Sequence, residues 1–129
     1  MPLLVNTKVR PSSIHGMGLF ADQKINKGDV VWEHSPVFDG WLNDYYLAIA
    51  PESFRKHVDN FYCYDNELKS YILACDNVNW INHSVDPNLD SPTKYIHYAK
   101  RDIEPGEELT LDYKQICDLE ERDIEFHQR

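Results

Sequence analysis

The chain has 129 residues, 42% of them hydrophobic and 27% charged, enough for one domain that buries a core without disulfide or metal staples. Its net charge of −9 argues against direct nucleic-acid binding as the main activity and favours basic protein segments as partners. No apolar run approaches the roughly 20 residues of a membrane span, and Met1-Pro2-Leu3-Leu4-Val5-Asn6 lacks the basic start and long apolar core of a secretory signal.

In chain order, Val5 to Val9 predicts a short strand before Pro11. Gly16-Met17-Gly18-Leu19-Phe20-Ala21 fits the dinucleotide fingerprint Gly-x-Gly-x-x-Ala. That fingerprint needs a buried strand before it and a helix after it. Here Arg10-Pro11-Ser12-Ser13 precedes it, and a second turn at Gly28 leads into the strand-like Val30-Val31-Trp32. The context argues against a dinucleotide site and leaves the glycines a simpler role, letting backbone come close to a ligand or another strand.

Asp29 to Val37 reads as strand, and Leu42 to Ile49 has helical spacing with Asn43 or Asp44 as cap. Pro51 opens a second helix running to about Asn60. Phe61 to Tyr64 and Tyr71 to Ala74 form a predicted hairpin turning at Asp65-Asn66. Tyr95 to Ala99 and Leu109 to Leu111 are further strands. Apolar residues at Ile116, Leu119, Ile124 and Phe126 predict a C-terminal helix with a solvated acidic face over Asp118 to Asp123. The expected class is α+β and mainly β, short strands around one small helical insert.

Three cysteines, Cys63, Cys75 and Cys117, are an odd count without paired spacing. They predict a reducing interior, hence an intracellular and by preference cytoplasmic protein, nuclear if eukaryotic, rather than a disulfide framework. Cys63 and Cys75 fall in apolar strands, where cysteine is an inert small hydrophobe. The six histidines are scattered and no Cys-x-x-Cys occurs, so no metal site is predicted. Asp86-Pro87-Asn88-Leu89-Asp90 mimics the start of a calcium loop but lacks its later glycine and glutamate.

Two stretches organise the rest: Trp80-Ile81-Asn82-His83-Ser84-Val85-Asp86-Pro87-Asn88, a polar knot on an apolar approach, and Gly106-Glu107-Glu108-Leu109-Thr110-Leu111-Asp112-Tyr113, a turn followed by a strand. In this order, with the Gly16-Met17-Gly18 loop near the start, they resemble the SET-domain lysine methyltransferases over about residues 8–113. The resemblance implies a β-clip-like arrangement over a single domain, residues 1–129, with residues 42–60 as its variable helical insert and 114–129 as its C-terminal segment.

It also implies S-adenosylmethionine on one face and a lysine side chain entering from the other through a narrow channel. Carried over by position, His15, Gly16 and Met17 hold the methionine part of the cofactor, as do Asn82 and His83. Tyr113 falls on the catalytic tyrosine, and Tyr62 matches a cofactor-contacting tyrosine. Leu111, in the channel two residues before Tyr113, resembles Phe more than Tyr and favours addition of more than one methyl. Glu107 and Glu108 suit a structural or surface role. Many family members bind zinc through a cysteine after Asn-His-Ser and a later cluster; here Val85 and a lone Cys117 imply no such segment, leaving residues 114–129 to close the channel. The expected substrate is a lysine in a basic or histone-like protein, without nucleic-acid or membrane binding. The oligomeric state stays open, a homodimer included. A non-catalytic SET-like interaction module is the alternative.

Overall fold

Four small sheets and three short α-helices make up residues 2–118, the part of the chain described by the computed structural model. β1 (Thr7–Pro11) and β2 (Met17–Ala21) form an antiparallel hairpin pairing Thr7 with Ala21 and Pro11 with Met17. β3 (Val30–Glu33), β9 (Ile96–Ala99) and β8 (Leu89–Asp90) form a second sheet with β9 in the middle. A third sheet, in the order β4 (Gly40–Asn43), β6 (Ser70–Leu73), β5 (Cys63–Asp65), carries α1 (Asp44–Ile49) and α2 (Glu52–Phe61) between β4 and β5. After a 3₁₀ turn at Asn77–Trp80, β7 (Asn82–His83) lies parallel to β10 (Thr110–Leu111), and α3 (Tyr113–Ile116) follows.

The core is contributed by the inward positions of the first two sheets and their connections, among them Leu19, Ile25, Val31, Leu89, Ile103 and Leu109. The pairing of β3 with β9 shifts register between Val30 and Trp32. A bulge of this kind breaks strict alternation, and here both Val31 and Trp32 are buried.

The short parallel pair β7–β10 is reinforced by the Asn88 side chain. Its Nδ2 donates to the Glu108 carbonyl at 2.8 Å and its Oδ1 accepts from the Thr110 amide at 2.9 Å. Asn88 thus imitates a strand backbone and stitches the Pro87-Asn88 turn to the approach to Tyr113.

Several sequence expectations shift at their boundaries. The first strand is Thr7–Pro11 rather than 5–9. β3 stops at Glu33 because Asp39 Oδ2 captures the Ser35 amide at 2.8 Å and turns the chain before Val37. Asn43, not Asp44, caps α1, accepting from the Tyr46 amide at 3.1 Å, so Leu42 belongs to β4. Pro51 sits at the cap of α2 rather than inside it. Asp65 ends β5 and its carboxylate accepts the Glu67 amide, which moves the hairpin turn onto the next four residues, 66–69. Ile116 ends α3 instead of opening a long helix, and the rest of that predicted helix, from Leu119, lies outside the described residues.

The cysteine expectation is corrected. Cys63 and Cys117, 54 residues apart in sequence, have Cα atoms 4.8 Å apart and form a disulfide. The fold brings the end of α3 against β5, a meeting that spacing alone does not encode. Cys75 is exposed just beyond β6, not buried within a strand.

Replacing Asn88 with alanine leaves a buried amide and carbonyl without partners. An Asn88→Ala variant is expected to lose about 2–3 kcal/mol of unfolding free energy, read from the urea midpoint at unchanged slope.

Candidate active site

The first half of the site is built around a buried carboxamide. Ser12 closes the loop before β2 by donating its amide to the Gly16 carbonyl at 2.7 Å, and Gly16 takes φ +46°, which suits glycine. Asn82 is fully buried beneath this loop. Its Nδ2 reaches the carbonyls of His15 at 2.9 Å and Met17 at 3.1 Å, and Oε2 of Glu108 at 3.0 Å. The Ser12 hydroxyl donates to the same carboxylate at 2.7 Å. Asn82 Oδ1, in contrast, is buried without a partner among the described residues. An unmatched buried acceptor is costly, and it fits a ligand that brings a donor.

Gly18 makes this arrangement possible. A Cβ there would come 2.8 Å from Cδ of Glu108 and 3.2 Å from Cβ of Ser12, so the carboxylate takes space that only glycine leaves free.

The second half is a cavity bordered by Trp32, Tyr62, Ile81, His97, Leu111 and Tyr113. Tyr113 is buried at the start of α3, and its hydroxyl donates to the Ile81 carbonyl at 2.5 Å. Burial, and secondarily Cys75, pushes the Tyr62 phenol above its ordinary range, so Tyr62 stays protonated at neutral pH. The cavity therefore offers an apolar wall with neutral oxygen dipoles, an environment that suits an aliphatic chain ending in nitrogen.

His83 links the halves. Its Nδ1 accepts the Tyr113 amide at 3.0 Å, and the two rings lie 5.2 Å apart. The parallel register sets Leu111 opposite His83 and Thr110 opposite Asn82.

The structure thus gathers His15, Met17 and Asn82 at one place and Tyr62, Leu111 and Tyr113 at another, with His83 between them. Gly16 contributes backbone shape, and Tyr62 groups with Tyr113 rather than with the glycine loop. Glu108 has the structural role its position after a turn suggested. Sequence reading missed Ser12 and Gly18 as its partners, because their link to residue 108 spans most of the chain. Trp32 and His97 were missed as cavity residues too; the available signal was a large polar-tipped ring at an inward strand position. They stack at 4.7 Å.

A Gly18→Ala substitution is expected to destabilise the fold by about 1–3 kcal/mol and to separate Glu108 from Asn82, measurable by denaturant titration and by the Asn82 side-chain amide resonances. His97 gives a pH signature. Burial pushes it down to about 4, against a smaller upward pull from the Ile96 carbonyl. Below about pH 6.5 the unfolded chain takes up a proton that the folded chain refuses. Stability from this group is therefore complete above that pH and falls as pH drops towards 4, by ~3 kcal/mol at most. His97→Phe should remove that component from a series of urea titrations.

Comparison with known proteins places this geometry. The chain is 35% identical over 117 residues to an H3 lysine-4 specific histone-lysine N-methyltransferase of Schizosaccharomyces pombe, covering 81% of this chain and 12% of that protein. It is 34% identical over 120 residues to histone-lysine N-methyltransferase set1 of Dictyostelium discoideum, covering 83% of this chain and 8% of the relative. It therefore spans about a tenth of the length of these relatives. Its fold is similar to that of ctPRC2 solved in an autoinhibited conformation with S-adenosylmethionine, at a TM-score of 0.64, 20% identity, and coverage of 89% of this chain and 16% of that one. The SET domain profile matches residues 16–114. With the glycine loop, the Asn82-His83 pair and Tyr113 all inside that span, the chain belongs to the SET-domain family.

Proposed function

We propose that the chain is an S-adenosylmethionine-dependent protein-lysine N-methyltransferase acting on a lysine in a basic, histone-like segment. The observation that carries this reading is the joining of two half-sites: a buried carboxamide with one unmatched oxygen beneath the glycine loop, and a buried tyrosine beside an apolar cavity, linked through His83.

The residues fit the cofactor, because the orphaned Oδ1 of Asn82 would accept from the ammonium of its methionine part. His15, Gly16 and Met17 would line that part with backbone. When bound, S-adenosylmethionine supplies a methyl group on a sulfonium, open to in-line attack by a neutral amine. Tyr113 and the Ile81 carbonyl place oxygen dipoles beside the nitrogen as it becomes positive. His83 fixes the backbone from which Tyr113 projects. Leu111 borders the lysine stem, and Tyr62 stands in the wall where cofactor and lysine would meet. Leu111 brings no hydroxyl near the amine, which leaves room for more than one methyl. The net charge of −9 draws a basic segment to the surface. The lysine-methyltransferase names of the relatives support the reaction class and the histone-like substrate.

A second reading, a partner-binding module without catalysis, draws on the exposed Tyr45, Tyr46 and Ile49 of α1. Calorimetric titration separates the two. Wild type is expected to bind S-adenosylmethionine, and Asn82→Ala, with its fold checked by circular dichroism, to bind at least about tenfold more weakly. Tyr113→Phe should lower methyl transfer to histones by about 100-fold or more. Absence of cofactor binding by the wild type, or full activity of Tyr113→Phe, would overturn the assignment.

A further inference from the structure

The cavity beside Tyr113 has a second polar corner to which the proposed reaction gives no task. Trp32 and His97 both border it, 2% and 4% exposed. The Trp32 indole N–H is buried with no acceptor among the described residues. The proton on His97 can be placed by counting donors. Ser91 Oγ donates its single hydrogen to the Ile96 carbonyl at 3.0 Å, so at 2.9 Å from His97 Nδ1 it can only accept. Nδ1 therefore carries the proton, and burial keeps the ring neutral. Nε2 is left as a lone pair, and among the described residues nothing donates to it. A buried donor without an acceptor and, stacked against it, an imidazole lone pair with no donor among the described residues mark a place that recognises a polar group.

The methyltransferase reading, on which this inference rests, supplies that group. A neutral lysine amine that aims its lone pair at the methyl donor turns its remaining hydrogens towards the cavity wall. Each turnover forms one N–C bond from that lone pair and breaks the methyl–sulfur bond, whose electrons stay on sulfur as a thioether. The nitrogen then sheds one proton to solvent before it can react again. An unmodified amine brings two N–H groups to the reaction, a monomethyl amine one, and a dimethyl amine none.

We infer that His97 Nε2 accepts the remaining N–H of the substrate amine and stops the reaction at dimethyl-lysine. The first two transfers keep this hydrogen bond. The third loses it and presses a methyl group against an unmatched lone pair. Leu111 complements this by giving one methyl an apolar surface, so the two walls divide the nitrogen between them. His97 is a specificity-determining residue in this account.

The test uses the intact protein and a synthetic histone H3 N-terminal peptide prepared with zero, one, two or three methyls on its target lysine. Mass spectrometry should show wild type halting at the dimethyl product. His97→Phe, which keeps the stacked ring but has no acceptor, should raise the trimethyl share about fivefold or more, the factor set by one neutral hydrogen bond. His97→Gln, which restores an acceptor, should return it towards wild type. Independently of turnover, the His97 Nε2 nitrogen resonance of wild type should move on adding the unmodified or monomethyl peptide and stay in place with the trimethyl peptide. Ready trimethylation by wild type, or an unchanged trimethyl share in His97→Phe, overturns the inference. So does a resonance that moves alike for every peptide, as it would with a structural water at the site. If His97→Phe does not fold, the resonance decides. A wild type that binds no peptide and transfers no methyl would instead fail the parent reading, and this one with it.

Discussion

The Asn82 carboxamide holds together three pieces of chain that are remote in sequence: the glycine loop through the His15 and Met17 carbonyls, the turn leading to β10 through Glu108, and its own short strand. One NH2 group faces three oxygens, so none of these contacts can be exchanged for water without exposing the others. Glu108 is held in turn by Ser12, and Gly18 leaves the room for it. The polar network sits at the seam between elements too short to pair stably alone, and a network of this kind specifies one arrangement when every member is satisfied. Only Asn82 Oδ1 is left over among the described residues, buried beneath the glycine loop where the proposed cofactor belongs.

The cavity beside Tyr113 follows a different economy. Its walls are mostly apolar, and around Tyr113 the polar atoms are tyrosine hydroxyls, a carbonyl, an indole N–H and an imidazole that burial keeps uncharged, with Lys94 as the charged residue in the lining. Neutral dipoles can face a developing positive charge without the desolvation cost that a buried carboxylate carries. The Lys94 ammonium that borders the cavity is paired with Asp118 at 2.7 Å. The bulge in β3 is what turns Trp32 inward onto His97, so a local irregularity of one strand sets the character of the cavity's far wall.

Much of the fold was legible because its local signals are strong. Asn43 is a cap residue before an amphipathic run, Pro51 marks a helix start, and two short aromatic and apolar runs on either side of a polar turn trace the β5–β6 hairpin. The three segments that carry the family resemblance led directly to Asn82, His83 and Tyr113. What escaped reading depends on long-range meeting. β7, β8 and β10 are two-residue strands, too short for periodicity, and the Asn88 side chain adds to β10 the backbone-like bonds that so short a ladder lacks. The Cys63–Cys117 bond joins elements with no sequence relation. Trp32 and His97 looked like ordinary strand residues, and only the register shift shows that they share a wall.

The helical insert has a consequence for how such a chain diversifies. None of the residues of α1 is buried, and α2 buries only Val58. Both ends of the insert are gripped by strands of one sheet, with β6 between β4 and β5. A segment anchored this way can change length and surface at small entropic cost, since closing a longer loop costs little more than closing a shorter one. Natural variation there could retune what the protein docks against while leaving the glycine loop and the Tyr113 cavity undisturbed. It is also where a foreign recognition element could be grafted.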